Sequence, residues 1–140
     1  MRSLGLDIGD KRIGVAISDP EQILASPLTT IFVKDDDSEA FKSIADIVTT
    51  HKVHKIIIGL PYSMNGSMGP QAIKVKIFAE RLAQYVTVSI EFQDERLSTV
   101  AAVRLLIESG SKKRKKKEHR DAAAAAFILQ GYLDSLKKES

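Results

Sequence analysis

Three carboxylates in this 140-residue sequence could act together: Asp7, Glu95 and Asp121. Asp7 lies in an otherwise apolar strand, where a buried charge is costly unless a cation, several hydrogen bonds or a metal ion compensates it. Carboxylates gathered in one place repel each other and need cations to stay ionised. Hard oxygen ligands suit Mg²⁺ or Mn²⁺. Two such ions, roughly 3.5–4 Å apart, can activate water and stabilise the leaving oxygen of a phosphodiester.

Each carboxylate also has an ordinary structural interpretation. Asp7 can cap a turn or pair with Arg12. Glu95, next to Asp94, can complement a helix N-terminus, which is worth about 0.3–1 kcal/mol. Asp121 can cap the final helix, which is worth about 1 kcal/mol. The catalytic hypothesis therefore depends on a predicted convergence of three distant segments.

Residues 4–18 predict two strands joined by a Gly-rich, basic turn. Because side chains alternate along a strand, one face of this hairpin is bulky: Leu4, Leu6, Ile8, Ile13, Val15 and Ile17. The other face is nearly bare apart from Asp7, and small residues there let a helix or a ligand approach closely. The turn carries Lys11 and Arg12, which are candidates for phosphate contacts.

The remaining periodicity predicts the order β-β-β-α-β-α-β-α-α. After the hairpin, strands are predicted at 23–33, 55–59 and 86–92, and helices begin near Ser38, after Gly69, at Ser98 and after residue 120. This order predicts an α/β fold with a five-stranded mixed sheet, whose first three strands form an antiparallel meander, flanked by about four helices. Sites in such sheets lie beyond the carboxyl ends of the parallel strands, where Glu95 and Asp7 are expected.

The predicted final helix opens with five alanines directly after Asp121. Alanines allow close approach, so we expect this helix to pack near the bare face formed by Gly5, Gly14 and Ala16. That packing would bring Asp121 beside Asp7.

Composition predicts one domain over residues 1–140. The sequence has no cysteine, which excludes disulfide and thiolate chemistry and is compatible with a cytoplasmic protein. No signal-peptide pattern is visible, and the longest apolar run, 122–129, is too short to span a bilayer. We expect no membrane association, and a monomer or weak homodimer.

The positive charge is concentrated in one segment. Residues 111–120 hold seven Lys or Arg and one Glu, whereas the whole chain carries a net charge of +3. Such a run favours polyanions, although it is also typical of a solvated loop. We predict a mobile basic loop there. The nucleic-acid-binding candidates, besides the turn cations, are Arg96, Lys112, Lys113, Arg114, Lys115, Lys116 and Lys117.

Four sequence blocks together resemble the YqgF family of pre-16S rRNA nucleases, also described as Holliday-junction-resolvase-like. They are Leu-Asp-Ile-Gly-Asp-Lys-Arg-Ile-Gly-Val-Ala from Leu6, Gly-Leu-Pro-Tyr-Ser-Met-Asn-Gly-Ser-Met-Gly from Gly59, Asp-Glu-Arg-Leu-Ser-Thr from Asp94, and Asp-Ala-Ala-Ala-Ala-Ala-Phe-Ile-Leu-Gln-Gly-Tyr-Leu from Asp121. They span nearly the whole chain.

The resemblance implies an RNase H-like fold and divalent-metal-dependent cleavage of phosphodiesters by Asp7, Glu95 and Asp121. It also implies maturation of the 5′ end of 16S ribosomal RNA in the bacterial cytoplasm, with branched DNA as the alternative substrate. Asp10 and Arg120 depart from the common family pattern without touching the triad. Asp10 is either an outer metal ligand or a turn residue.

Two other functions fit parts of the sequence. The Asp-x-Gly hairpin also resembles the first phosphate-binding element of the actin, sugar-kinase and Hsp70 superfamily, but those ATP-using proteins close two such domains around the nucleotide. A non-catalytic nucleic-acid-binding module would use residues 112–120 to hold phosphates, and its affinity would fall steeply with salt.

Overall fold

The computed structural model describes residues 1–61, 69–94 and 114–138, with the backbone alone for 114–120 and 137–138. The elements follow in this order: β1 (Arg2–Ile8), β2 (Arg12–Ser18), β3 (Ala25–Phe32), α1 (Ser38–Thr50), β4 (Val53–Leu60), α2 (Pro70–Leu82), β5 (Ser89–Asp94) and α3 (Arg114–Lys138). The helix predicted from Ser98 lies outside the described residues, which contain three of the four expected helices.

The five strands form one mixed sheet in the order β3-β2-β1-β4-β5. β1, β2 and β3 pair antiparallel, whereas β4 lies parallel to both β1 and β5. This confirms the predicted five-stranded sheet with its antiparallel meander. Because the three parallel strands end at one edge, Ile8, Leu60 and Asp94 mark the edge at which a site is expected.

The two faces of the sheet carry separate apolar clusters. Most bulky side chains of the hairpin, among them Leu6 and Val15, are buried with Phe41 of α1 and Val75 of α2, and Ile8 is partly buried against this cluster. On the opposite face α3 packs against Ala16 and the central strands. The predicted division of the hairpin into a bulky and a bare face is therefore confirmed.

The two edge strands differ from their predicted limits. β3 is an edge strand with a register shift opposite Val15 and Ala16, and Pro27 lies at that shift, as expected for a residue that cannot donate to a ladder. β5 begins at Ser89, later than predicted. Val86 and Val88 pack against the core but precede the strand, so their alternation reflects burial rather than sheet pairing.

Helix α3 begins at Arg114, which corrects the predicted basic loop over 111–120 for seven of its ten positions. Lys, Arg and Glu have high helix propensity, and a helix already held by packing can extend at little cost for each added residue. Asp121 consequently lies inside the helix, so its interpretation as an N-terminal cap is wrong. None of the described helices is long and apolar enough to cross a membrane.

One polar cluster links β4, β5 and α3. The ammonium of Lys55 lies 2.6 Å from a Glu91 carboxylate oxygen and donates a hydrogen bond of 3.0 Å to the Tyr132 hydroxyl. The Glu91 carboxylate first, and the Tyr132 hydroxyl second, raise the pKa of Lys55 above its usual value of 10.5. Lys55 of β4 thus connects the edge strand β5 to helix α3.

Because the pKa of Lys55 is raised in the folded protein, its contribution to stability is complete below pH 10.5 and is lost as pH rises through the folded-state pKa. Lys55→Met should lower the free energy of unfolding at pH 8 by up to about 1 kcal/mol, given the partial exposure of the pair. The difference from wild type should shrink at alkaline pH. Urea unfolding at several pH values measures it, with exposed Lys42→Met as the control. A difference that grows above pH 10.5 would contradict this assignment.

Candidate active site

The central feature of the candidate site is the contact between Gly14 and the backbone of Asp121. A Cβ atom built on Gly14 would lie 1.8 Å from the Asp121 carbonyl oxygen. Gly14 is the register partner of Asp7 in the β1–β2 ladder, and side chains of directly opposed residues project from the same face. Asp7 and Asp121 are therefore neighbours on the α3 face of the hairpin, as the bare face and the alanine run predicted.

The same close packing continues along the helix. A Cβ atom on Gly5 would meet the Cβ of Leu129 at 2.8 Å and the carbonyl oxygen of Ala125 at 2.9 Å. Ala125 and Leu129 are themselves fully buried. Two glycines on the hairpin and small or apolar residues on α3 thus fix the height of the helix above the sheet, and with it the position of Asp121.

Asp121 is held by an arginine from the start of β2. The Nε–H of Arg12 donates to Oδ2 of Asp121 at 2.7 Å, and the side chains are 30% and 17% exposed, respectively. The sequence had offered Arg12 as a partner for Asp7 or for phosphate, so its pairing with Asp121 was missed. These residues are 109 positions apart, and no local pattern signals the contact.

A cavity of about 280 Å³ adjoins this ion pair, lined by Gly9, Asp10, Lys11, Arg12 and Asp121. Lys11 is exposed at the turn between β1 and β2, where the sequence had placed it. The Asp10 carboxylate lies 3.6 Å from the ammonium of Lys74 in an exposed pair. The cavity therefore brings predicted phosphate-binding cations beside one of the predicted carboxylates.

Several predicted site residues lie outside the described residues: Glu95, Arg96, Lys112 and Lys113. Glu95 directly follows Asp94, the last residue of β5, whose register partner is Leu60 of β4. Arg114, Lys115, Lys116 and Lys117 belong to the first turns of α3. Within the described part of the chain, no group of three or more His, Asp or Glu side chains could hold a metal ion.

The described donors nevertheless fit a hard divalent cation. Asp7 and Asp121 supply carboxylate oxygens, the ligands that Mg²⁺ and Mn²⁺ prefer. In this structure the carboxylate of Asp121 binds the guanidinium of Arg12. The glycine at position 14 leaves room for the Asp121 backbone beside the ladder partner of Asp7.

Solved structures identify the class of fold. The chain resembles RuvC of T. thermophilus in complex with a Holliday junction substrate, with a TM-score of 0.59 and 15% identity over 98% of this chain and 96% of that chain. A second T. thermophilus RuvC structure gives a TM-score of 0.59 with 13% identity. The fold is therefore RuvC-like, in agreement with the RNase H-like architecture expected from the sequence.

Sequence comparison identifies the family within that class. The RuvX family, described as Holliday junction resolvase, matches residues 1–135, and the chain belongs to this family. A relative from Clostridium botulinum is 47% identical over 140 residues, covering 99% of this chain and all of the relative. A Roseiflexus relative is 45% identical over 96% of this chain and 94% of its own length. Both are named "Putative pre-16S rRNA nuclease".

Gly14→Ala tests whether close contact fixes the position of Asp121. The added methyl group would collide with backbone, so we expect a loss of about 1–3 kcal/mol in the free energy of unfolding and faster amide hydrogen exchange near Asp121. Gly131→Ala is the matched control, because its methyl group would meet only the flexible Gln93 side chain at 3.4 Å and alanine favours the helix by up to about 1 kcal/mol. Equal stability of Gly14→Ala and wild type would show that α3 is not seated on Gly14.

Proposed function

We propose that this protein is a divalent-metal-dependent nuclease that hydrolyses phosphodiester bonds and processes the 5′ end of precursor 16S ribosomal RNA in the bacterial cytoplasm. The observation that carries the proposal is the seating of the Asp121 backbone over Gly14, opposite Asp7. This contact supports a shared site for the two acids, because it sets the Asp121 backbone against the ladder partner of Asp7 at the carboxyl end of β1. Relatives of 45% and 47% identity over nearly the full chain carry a pre-16S rRNA nuclease name.

Asp7 and Asp121 would hold the metal, probed as Mg²⁺ or Mn²⁺, and Glu95 is the proposed third ligand. A bound pair of divalent ions supplies Lewis-acid stabilisation and an activated water for phosphodiester hydrolysis. The seating of α3 on the hairpin fixes the Asp121 backbone relative to Asp7, so the two acids need little reorganisation to act together. Lys11 and Arg12 border the adjoining cavity and are the proposed contacts for substrate phosphates.

The basic segment supports a nucleic-acid substrate. Arg114 to Lys117 lie on the same helix as Asp121, and at about 1.5 Å of rise per residue Lys117 is roughly 6 Å from Asp121 along the helix axis. A run of cations at that distance attracts a phosphate backbone to the acidic centre and supplies sequence-independent affinity. Lys112, Lys113 and Arg96 are proposed to extend this contact.

A second candidate substrate is a four-way DNA junction. The family description names a Holliday junction resolvase, and the RuvC neighbour was solved with a Holliday junction. Phosphate contacts to the Lys and Arg residues at the start of α3 do not by themselves distinguish RNA from DNA. Direct comparison of the two substrates therefore decides between them.

The decisive measurement is cleavage of a precursor 16S RNA fragment and of a four-way DNA junction by the full chain, with Mg²⁺ and with Mn²⁺. We expect metal-dependent cleavage, with precursor RNA preferred. Asp7→Asn should reduce the rate at least about 100-fold while leaving the folded state intact, because losing even an outer-shell partner of a metal costs about 10- to 100-fold.

Asp46→Asn is the matched control, because Asp46 is exposed on α1. This variant should cleave at the wild-type rate. Preferred cleavage of the junction would reassign the substrate to branched DNA. Salt-sensitive binding without cleavage of either substrate would identify a nucleic-acid-binding module instead. Full activity of Asp7→Asn would remove Asp7 from the chemistry.

A further inference from the structure

The ion pair between Arg12 and Asp121 conflicts with the proposed metal site. Oδ2 of Asp121 accepts the Nε–H of Arg12 at 2.7 Å, and both side chains are largely withdrawn from solvent. A carboxylate that binds a divalent ion would bring that ion within a few ångströms of the guanidinium. Like charges at such a separation repel strongly where water screens them little.

The surroundings of Arg12 offer it another partner. Arg12 is the first residue of β2, directly after the exposed turn, and it lines the cavity of about 280 Å³ with Lys11 and Asp121. A guanidinium has five N–H donors in a planar fork that matches phosphate oxygens. A phosphate group in this cavity could therefore replace Asp121 as the acceptor for the Arg12 guanidinium, without movement of β2.

We propose that Arg12 is a positioning residue that competes with the divalent ion for Asp121 and is transferred to a substrate phosphate when the ion binds. This inference rests on the proposed function, because it assumes that Asp121 is a metal ligand. In the free protein Arg12 holds the Asp121 carboxylate and lowers the affinity of the site for metal. A nucleic acid that engages Arg12 removes the competition, so metal and nucleic acid each strengthen binding of the other by the same factor.

The chain contains a matched control for this ion pair. Arg81 of α2 donates through Nη1 to Oδ2 of Asp37 at 2.7 Å, the same length as the Arg12 bond. That pair lies at the start of α1 and the end of α2, whose buried residues pack on the sheet face opposite α3. Breaking it tests the loss of an arginine–aspartate pair without touching Asp121.

The first test is Mn²⁺ binding to the full chain by isothermal titration calorimetry. Arg12→Gln keeps a hydrogen-bond donor but removes the charge, and it should bind Mn²⁺ at least about 5-fold more tightly than wild type, the lower end of measured coupling between sites. Arg12→Lys retains the charge and should stay closer to wild type. Arg81→Gln should leave Mn²⁺ affinity unchanged.

The second test observes Arg12 in the unmutated protein, so it does not depend on how a variant folds. In protein labelled with ¹⁵N-arginine, added Mg²⁺ should shift the Nε–H resonance of Arg12 and leave that of Arg81 in place. A single-stranded oligonucleotide with phosphorothioate linkages should then shift the Arg12 resonance again and lower the Mg²⁺ concentration needed for half of the change.

The outcomes separate this inference from the proposed function. If wild type binds Mn²⁺ and Asp7→Asn abolishes that binding, but Arg12→Gln binds no more tightly, the competition by Arg12 is refuted and the metal site stands. The competition by Arg12 is also refuted if the Arg12 Nε–H resonance does not shift at saturating Mg²⁺. If wild type binds no Mn²⁺ and cleaves neither nucleic acid, the proposed function fails and this inference fails with it.

Discussion

The contact of α3 with Gly14 is the constraint on which the candidate site depends. Any side chain at position 14 would overlap the Asp121 backbone, so the helix reaches the hairpin only because that strand position is bare. Asp7 gains its neighbour through the same contact, since Gly14 is its partner in the ladder. The alanines after Asp121 and the contact at Gly5 extend this approach along the sheet, so that a packing feature determines where Asp121 lies.

The position of Asp121 against the sheet has an electrostatic consequence. A carboxylate withdrawn from solvent is costly unless a cation compensates it, and in this structure the guanidinium of Arg12 binds Asp121. The arginine comes from β2, the strand that also carries Gly14, so one strand supplies both the space for Asp121 and the cation that balances it. If Asp121 is a metal ligand, as the proposed function requires, its pairing with Arg12 makes the fold compatible with forming before any metal binds.

Much of this arrangement could be predicted from the sequence, because it follows from short-range patterns. The period of two along the hairpin separates the bulky face from the bare face, and the alanine run after Asp121 identifies a helix able to approach it. The pairing of Arg12 with Asp121 could not be predicted, since it depends on the register of β2 beneath α3. The Lys55–Glu91–Tyr132 cluster likewise depends on strand register. The start of α3 was missed because charge density suggested a loop, whereas helix propagation from the packed segment decided the outcome.

The helical state of residues 114–120 changes the interpretation of the basic segment. In a loop, those cations would act as a tether whose distance from the acids varies. In a helix, each residue stands at a fixed height above Asp121, about 1.5 Å for every position, and the rotation of 100° per residue distributes the charges around the axis. Under the proposed function, a phosphate backbone bound along residues 114–120 would run along the same helix that carries Asp121. The same helix that packs on Gly14 would then orient the proposed substrate, so the seating of α3 would govern both the position of Asp121 and the approach of the nucleic acid.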